Sequence, residues 1–273
     1  MKKQFWFLAV FFAGALAFTA CEKNDTEAIS DTDEAVITGE DETAAANLFQ
    51  DTEDEVDYEI ETRDPNDDCP TITVTPDDGS FPRTITIDYG TDGCLGLHGR
   101  VRKGVVIVTL TDSLNNPGAV RTVTFDNFFV DDAQIQGVKA LTNEGYNSAG
   151  LPTFSRSVEG ASITFPNGDV TSWQASHTIV VIGGSDTPQI TDNVIEVSGG
   201  SSGVNRHGVA FTVEITTPLV KSKNCPWVES GVKAITTNSR TRMLDYGDGE
   251  CDRVATLTFA NGFSRDILIR RWW

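Results

Sequence analysis

The sequence has few basic residues and almost no long apolar runs. Its 273 residues include 21 Lys and Arg against 40 Asp and Glu, a formal net charge of −19. Because nucleic-acid binding needs a basic surface that releases counterions from phosphates, this deficit excludes a nucleic-acid-binding protein. The one long apolar run lies at the N-terminus, which excludes a polytopic membrane protein.

Metal-ligand patterns are also scarce. The three histidines, His98, His177 and His207, are widely spaced and fit no metal-ligand pair. The stretch from Asp245 to Asp252 offers oxygen ligands around glycines and is an alternative calcium site. We favour a turn in which these Asp side chains accept backbone N–H groups. We therefore predict no metal and no other cofactor.

The first twenty residues have the organisation of a signal peptide. Two lysines precede a 14-residue apolar stretch, Phe5 to Phe18, which is too short to remain as a membrane-spanning helix. The segment Phe18-Thr19-Ala20-Cys21 resembles the lipobox of bacterial lipoproteins, with Phe18 in place of the usual Leu. That resemblance implies cleavage before Cys21 and lipidation of its thiol. Multiple acyl chains would hold the mature chain stably on a membrane.

The residues after Cys21 add an expectation about location. Glu22 to Glu27 is acidic and resembles the surface-export signal of Bacteroidota lipoproteins. This resemblance implies a lipid anchor in the outer membrane, with exposure at the cell surface favoured over an orientation facing the periplasm.

An acidic segment follows the expected anchor. Between Glu22 and Asp68 there are 19 acidic and 2 basic residues, with few aromatic side chains. Such a segment buries too little apolar surface to offset the entropy of ordering it. We therefore expect residues 21–68 to form a disordered, extended acidic linker. A short helix around Thr43 to Tyr58 is an alternative, because the Ala residues there are good helix formers.

From Cys69 to Trp273 the pattern changes to that of β-strands. Apolar and polar residues alternate in Thr84 to Tyr89 and in Val209 to Ile215, which is typical of half-buried strands. Asn167-Gly168 and Asn261-Gly262 separate such runs and predict hairpins with type I′ turns. No helical periodicity is sustained for three turns in this part of the chain. We predict an all-β domain, either an extended antiparallel β-sandwich or a curled sheet.

This domain contains an internal duplication. Cys69-Pro70 is followed by Asp88-Tyr89-Gly90 and Cys94, and Cys225-Pro226 is followed by Asp245-Tyr246-Gly247 and Cys251. The separation between the two cysteines is nearly the same in both units, 69–94 and 225–251. We infer two copies of one structural unit.

The four cysteines of the duplicated units are expected to form disulfides in an exported chain. Three connectivities exist, and the duplication favours Cys69 with Cys94 and Cys225 with Cys251. A four-cysteine zinc site is an alternative, although the close Cys-x-x-Cys spacing is missing. Reduced cysteines are a further alternative.

Several segments of the domain also resemble a known group of proteins. They are Gly99 to Gly104, Val123 to Asn127, Gly208 to Thr212 and Gly231 to Lys233 before Asp245-Tyr246-Gly247. Together they resemble an uncharacterised family of β-rich Bacteroidota lipoproteins. The resemblance implies the anchor and the compartment, but no activity.

One motif raises the question of catalysis. Gly199 to Gly203 matches the G-x-S-x-G pattern that exposes a nucleophilic serine between a strand and a helix, and His207 lies nearby. Because the run that follows is strand-like, we interpret Ser201 as part of a flexible hairpin loop and predict that the protein is not an enzyme. A hydrolase that uses Ser201 is the alternative.

We expect a lipoprotein with a structural or binding role at the cell envelope, whose partners are the membrane, through its lipid, and a glycan or an envelope protein. A glycan-binding module of a surface nutrient-uptake system is an alternative, because exposed aromatic rings stack on sugars. A lipid held in an empty apolar groove of a curled sheet is another. The aromatic candidates for glycan binding are Tyr146, Trp173, Trp227, Trp272 and Trp273.

Overall fold

The computed structural model describes residues 30–61, 68–187 and 192–269. One α-helix, α1 (Asp31–Glu61), precedes fourteen strands, and a short 3-10 helix (Leu97–Gly99) lies between the third and fourth strands. The strands are β1 (Thr71–Thr75), β2 (Arg83–Asp88), β3 (Cys94–Leu95), β4 (Val101–Leu110), β5 (Val120–Val130), β6 (Ala133–Tyr146), β7 (Pro152–Thr164), β8 (Val170–Gly183), β9 (Val194–Val204), β10 (Ala210–Ser222), β11 (Ser230–Thr237), β12 (Arg240–Asp248), β13 (Val254–Thr258) and β14 (Ser264–Leu268).

All fourteen strands belong to one antiparallel sheet. Strands β4 to β14 each pair with their neighbours in the chain, β1 pairs with β2, and β2 pairs with β4. The short β3 also pairs with β4, off the main path. The sheet curls without closing, so the all-β antiparallel prediction is confirmed in its curled-sheet form.

The strands alternate between a buried concave face and a more exposed convex face. In β8, for example, Trp173, Ala175, Ile179 and Val181 are buried, while Ile182 is 40% exposed. Side chains point to opposite faces at successive positions of a strand, so a period of two places the apolar residues on one side. The hydrophobic core therefore lies inside the curl.

Two hairpins lie where the sequence predicts them, but their turns are not type I′. Gly168 and Gly262 have positive φ, whereas the preceding Asn residues do not. The carbonyl of Phe165 accepts the N–H of Gly168, and the N–H of Phe165 donates to Asp169. This pattern is typical of a type I turn followed by a left-handed glycine, which requires positive φ at one position rather than two.

Residues 31–61 are not the disordered linker that their composition predicts. They form α1, which lies against the concave face of the sheet with more than half of its residues buried. Ser30 begins the helix, since its hydroxyl accepts the N–H of Asp33. The helix contains the alternative short helix, Thr43 to Tyr58, and is about 46 Å long at the usual rise per residue.

Phe49 anchors α1 to the sheet. Its ring stacks on Trp173 with 5.4 Å between centroids and meets the edge of Phe125 at 5.9 Å. Near the other end of α1, a Cβ atom at Gly39 would lie 3.3 Å from the side chain of Ile267. The missing side chain at Gly39 therefore lets the helix approach β14 closely.

Both expected disulfides are present. Cys69 bonds to Cys94 and Cys225 bonds to Cys251, with Cα–Cα distances of 5.7 and 5.8 Å. The first joins the segment before β1 to β3, and the second joins the β10–β11 connection to the segment after β12.

The two repeat units share local geometry beyond their disulfides. In each Asp-Tyr-Gly triplet the Asp carboxylate accepts the N–H of the Gly, at 2.8 Å for Asp88 and 2.9 Å for Asp245. Tyr89 and Tyr246 are both buried beneath α1. Tyr89 donates to Glu55, 3.4 Å away. The two units thus place equivalent tyrosines against two different positions of α1.

Candidate functional site

The concave face of the sheet is basic, and α1 supplies the opposite charge. The helix contains thirteen Asp and Glu residues and no Lys or Arg. The sheet and its turns contact these carboxylates with cations from many strands. The cations are Arg100, Arg102, Arg121, Lys139, Arg156, Arg206, Lys221, Lys223, Lys233, Arg240 and Arg242, with Arg265 near the helix start.

One group of ion pairs surrounds Asp51. Its carboxylate lies 2.7 Å from Arg102 and 3.5 Å from Arg100, and both guanidinium groups are buried. Although burial opposes ionisation, Arg102, His98 and Arg100 hold the pKa of Asp51 below its usual value. Glu55 accepts the backbone N–H of Leu97 at 2.8 Å, which ties the same stretch of α1 to the short segment between β3 and β4.

A second and larger group surrounds the middle of the helix. Three carboxylates, Glu53, Asp54 and Asp57, meet five cations from four strands and from the segment after β10. Their contacts include 2.5 Å from Arg121 to both Glu53 and Asp57, 2.8 Å from Lys221 to Asp54, and 2.6 Å from Lys223 to Asp57, together with pairs from Lys139 and Arg156 to Glu53. Although burial opposes ionisation, Lys223 and Lys221 hold the pKa of Asp54 well below its usual value.

The N-terminal half of α1 is paired more sparsely. Both oxygens of Glu42 accept from Lys233, at 3.0 and 3.1 Å. Asp41 pairs with Arg206 in the β9–β10 turn. Buried ion pairs add little net stability, because desolvation offsets their attraction, but losing one partner is costly. We infer that these pairs chiefly set the position of α1 along the sheet.

A cleft of about 420 Å³ opens beside the C-terminal half of α1. Its apolar wall comes from the inward faces of β6 to β9. Its polar parts come from α1, from β5 and β6, and from three connections between strands. This volume is in the range of sites for small organic ligands. The lining of this cleft includes Tyr146, Asn143, Asn193, Phe154, Ile179 and Ile195.

The rim and the wall of the cleft differ in chemistry. Tyr146 at the end of β6 is 73% exposed, so its ring is free to contact a ligand. The Oδ1 atom of Asn193 is buried and has no hydrogen-bond partner among the described residues. Asn143 is held in place, because its amide donates to Leu114 and accepts from Gly145. The cleft thus offers an exposed ring, an apolar wall and an unused acceptor.

Ser201 and His207, the residues of the hydrolase alternative, contact different parts of α1 rather than each other. Ser201 lies within β9 rather than in a flexible loop, and its hydroxyl donates to Glu42 at 3.3 Å. His207 lies in the β9–β10 turn with its Nδ1 3.1 Å from Glu34. No hydrogen bond joins Ser201 to His207 in the described part of the chain, since each contacts a different carboxylate of α1.

The three histidines contact different parts of the structure. His98 faces Asp51 at 3.4 Å, His177 faces Arg156 at 2.9 Å, and His207 faces Glu34. Across residues 30–61, 68–187 and 192–269, no group of three His, Cys, Asp or Glu side chains is arranged to hold a metal ion. Asp245 and Asp252 instead accept backbone N–H groups of Gly247 and Val254, as the turn interpretation predicts.

Two of the aromatic candidates for glycan binding are wrong. Trp173 is 2% exposed and stacks on Phe49, and Trp227 is 8% exposed and lies beside Arg100. Both therefore pack inside the curl and are not accessible to a sugar. Tyr146 remains accessible. The groove proposed for a lipid is also not empty, because α1 occupies it.

Other expectations fall on residues that the structure does not describe. These are the signal peptide, the lipidated Cys21, and Trp272 and Trp273. Among the residues that are described, no helix has both the length and the apolar character needed to cross a bilayer.

Much of this site could not be found from the sequence. The sequence indicates Tyr146 as an aromatic candidate, but Asn143, Asn193 and the helix residues carry no motif. One signal of the buried charges is present in the sequence. Basic residues occupy inward positions of strands in which apolar and polar residues otherwise alternate. Comparison of the chain with protein-family models, curated proteins and solved structures finds no match to any of them.

Proposed function

We propose that this protein is a lipid-anchored, non-enzymatic binding protein of the outer membrane, exposed at the cell surface, whose ligand is a glycan. The observation that carries the proposal is the cleft beside α1, with Tyr146 exposed at its rim. Aromatic rings stack on the apolar faces of sugars, and polar side chains then fix the hydroxyl groups.

The chemistry of the cleft supports a sugar over a purely apolar ligand. Phe154, Ile179 and Ile195 give the wall apolar surface, while the unused Oδ1 of Asn193 would accept a hydrogen bond from a hydroxyl group. A buried acceptor without a partner costs free energy, and a ligand hydroxyl would remove that cost. A hydrocarbon chain would leave this acceptor unpaired.

The position of the cleft supports a role facing away from the membrane. If Cys21 carries the lipid, the ten residues from Cys21 to Ser30 can span no more than about 35 Å. The anchor therefore holds the start of α1 close to the bilayer, rather than on a 48-residue spacer. Asp57, which lines the cleft, lies 26 residues after Asp31, about 40 Å further along the helix.

A glycan array probed with the chain from Glu22 to Trp273 tests this proposal, because that chain keeps α1. For a glycan that binds, we expect Tyr146→Ala to weaken the affinity about tenfold or more by isothermal titration calorimetry, about 1.4 kcal/mol. Phe263→Ala is the matched control, since Phe263 is 54% exposed but lies in the β13–β14 hairpin.

Two results would reject the glycan role. One is an array without binding. The other is a glycan whose affinity falls equally in the Tyr146 and Phe263 variants, because that would place its binding outside the cleft.

A further inference from the structure

A second, smaller cavity lies between α1 and the sheet, separate from the cleft. Its volume is about 50 Å³, and its walls come from α1 and from β7 to β12 together with Ile269. One water molecule needs roughly 10–15 Å³ of such space, so the cavity has room for a small ion. The residues on which its charge depends are Arg156, His177, Lys221, Lys233 and Tyr246.

The cavity wall is positively charged. Arg156, Lys221 and Lys233 line it, and its lining includes no Asp or Glu from the described chain. Lys221 and Lys233 each have one carboxylate partner, Asp54 and Glu42. Arg156 has a weaker partner, because its nearest carboxylate, that of Glu53, is 3.9 Å away. Glu53 is also paired with Arg121 and Lys139.

The surrounding ion-pair network has too few carboxylates. Within residues 30–61, 68–187 and 192–269, the anions that pair with Arg121, Lys139, Arg156, Lys221 and Lys223 are Glu53, Asp54 and Asp57, so cations exceed anions by two. Uncompensated charge inside a protein is unfavourable. Burial lowers the pKa of Arg156, and the attraction of Glu53 and Asp54 only partly offsets that effect. One additional monovalent anion would offset half of this excess.

Arg156 also has an unused donor. It is 8% exposed, and its Nε atom is buried with no hydrogen-bond partner in the described residues. Its other nitrogens contact Gln50 at 2.5 Å and the Nδ1 of His177 at 2.9 Å. A guanidinium only donates, so Nδ1 of His177 accepts and the neutral ring carries its proton on Nε2.

The pKa of His177 reflects the same positive surroundings. Burial, together with Arg156, Lys233 and Lys139, lowers its pKa to about 2. The ring is therefore neutral at ordinary pH and adds an N–H donor to the wall without adding charge. A cavity with donors, cations and no carboxylate suits an anion better than water, because water cannot offset the charge.

We propose that the cavity between α1 and the sheet is a binding site for a small inorganic anion such as chloride, held by Arg156 and His177. The anion would offset part of the excess positive charge of the network around the middle of α1 and so help to join the helix to the sheet. This site is distinct from the glycan cleft and does not depend on it.

Bromide provides the direct test, because it replaces chloride and scatters X-rays anomalously. Crystals of the chain from Glu22 to Trp273 grown in sodium bromide should give an anomalous peak in the cavity beside Arg156. A cavity with no anomalous peak at high bromide concentration would overturn the proposal.

Unfolding in solution gives a second measurement. At constant ionic strength, with gluconate replaced by chloride, the unfolding equilibrium constant should fall about tenfold for each tenfold rise in chloride above the dissociation constant. Arg156→Gln should remove this dependence. Lys103→Gln, which changes an exposed lysine paired with Asp132, should keep it. Equal chloride dependence in both variants would also overturn the proposal, and the bromide experiment still decides the question if Arg156→Gln does not fold.

Discussion

Lys139 shows how burial inside the curled sheet changes the pKa of a single residue. Its amino group is buried, donates to the backbone carbonyl of Phe49 at 3.0 Å and pairs with Glu53. Burial, with repulsion from Arg156 and Arg121, lowers its pKa to about 8 despite the attraction of Glu53. The folded protein therefore releases this proton about two pH units before the unfolded chain does.

The stability of the protein should rise with pH between about 8 and 10. In this window the unfolded chain still binds the proton of Lys139 and the folded protein does not, so the free energy of unfolding increases, by about 2 to 3 kcal/mol in total. Lys223 and Lys233 have raised pKa values and act only at higher pH. Urea denaturation at pH 7.5, 8.5 and 9.5 measures the change.

Lys139→Met is the comparison for this measurement. The variant should lose the rise in stability, because no group that titrates remains at that position. If the wild type and the variant show the same dependence on pH, Lys139 is not the residue responsible.

At the scale of elements, the main feature is an acidic helix that a basic sheet encloses. The polar residues of α1 are spread evenly around the helix. The sequence of α1 by itself therefore does not predict that the helix is buried. Its partners come from strands that are far apart in the sequence, such as Arg102 in β4 and Arg242 in β12. Each ion pair fixes one point along the helix, and together they hold it in one position.

Removing one charge from this interface should be costly. We expect Glu42→Gln to lower the free energy of unfolding by about 3 to 5 kcal/mol, because Lys233 would remain buried without its carboxylate. Glu61→Gln removes the charge of an exposed carboxylate at the end of the same helix. This variant should change the free energy of unfolding by no more than about 0.5 kcal/mol.

A double variant separates loss of charge from loss of packing. Glu42→Gln combined with Lys233→Met removes both charges, and we expect it to be more stable than Glu42→Gln alone when chemical denaturation is measured. If the double variant is less stable than the single one, the unpaired lysine is not the cause of the loss.

The same element shows how far the sequence could be interpreted. Strands, hairpin positions and disulfides were predictable, because period-two alternation, Asn-Gly pairs and a repeated cysteine spacing are local signals. The burial of α1 was not, since composition alone favours a solvated linker for a segment so rich in carboxylates. The missed signal was non-local: Lys139, Lys221 and Lys233 lie in phase with the inward apolar residues of their strands.

At the scale of the whole molecule, the helix takes the place of a second layer. An open antiparallel sheet with one solvent-facing side needs something to cover its other side. Here α1 covers it, with Phe49 and Leu48 in the core and carboxylates against the basic side chains. A disulfide near each end of the strand order closes the two repeat units.

Hydrogen exchange followed by mass spectrometry tests this arrangement most directly. We predict that backbone amides from Ala35 to Asp57 exchange nearly as slowly as those of β7 and β8, because the helix and the sheet must separate before its hydrogen bonds open. If these amides exchange at the rate of an unstructured peptide while β7 and β8 stay protected, the segment is a free acidic linker and the enclosed-helix account is wrong.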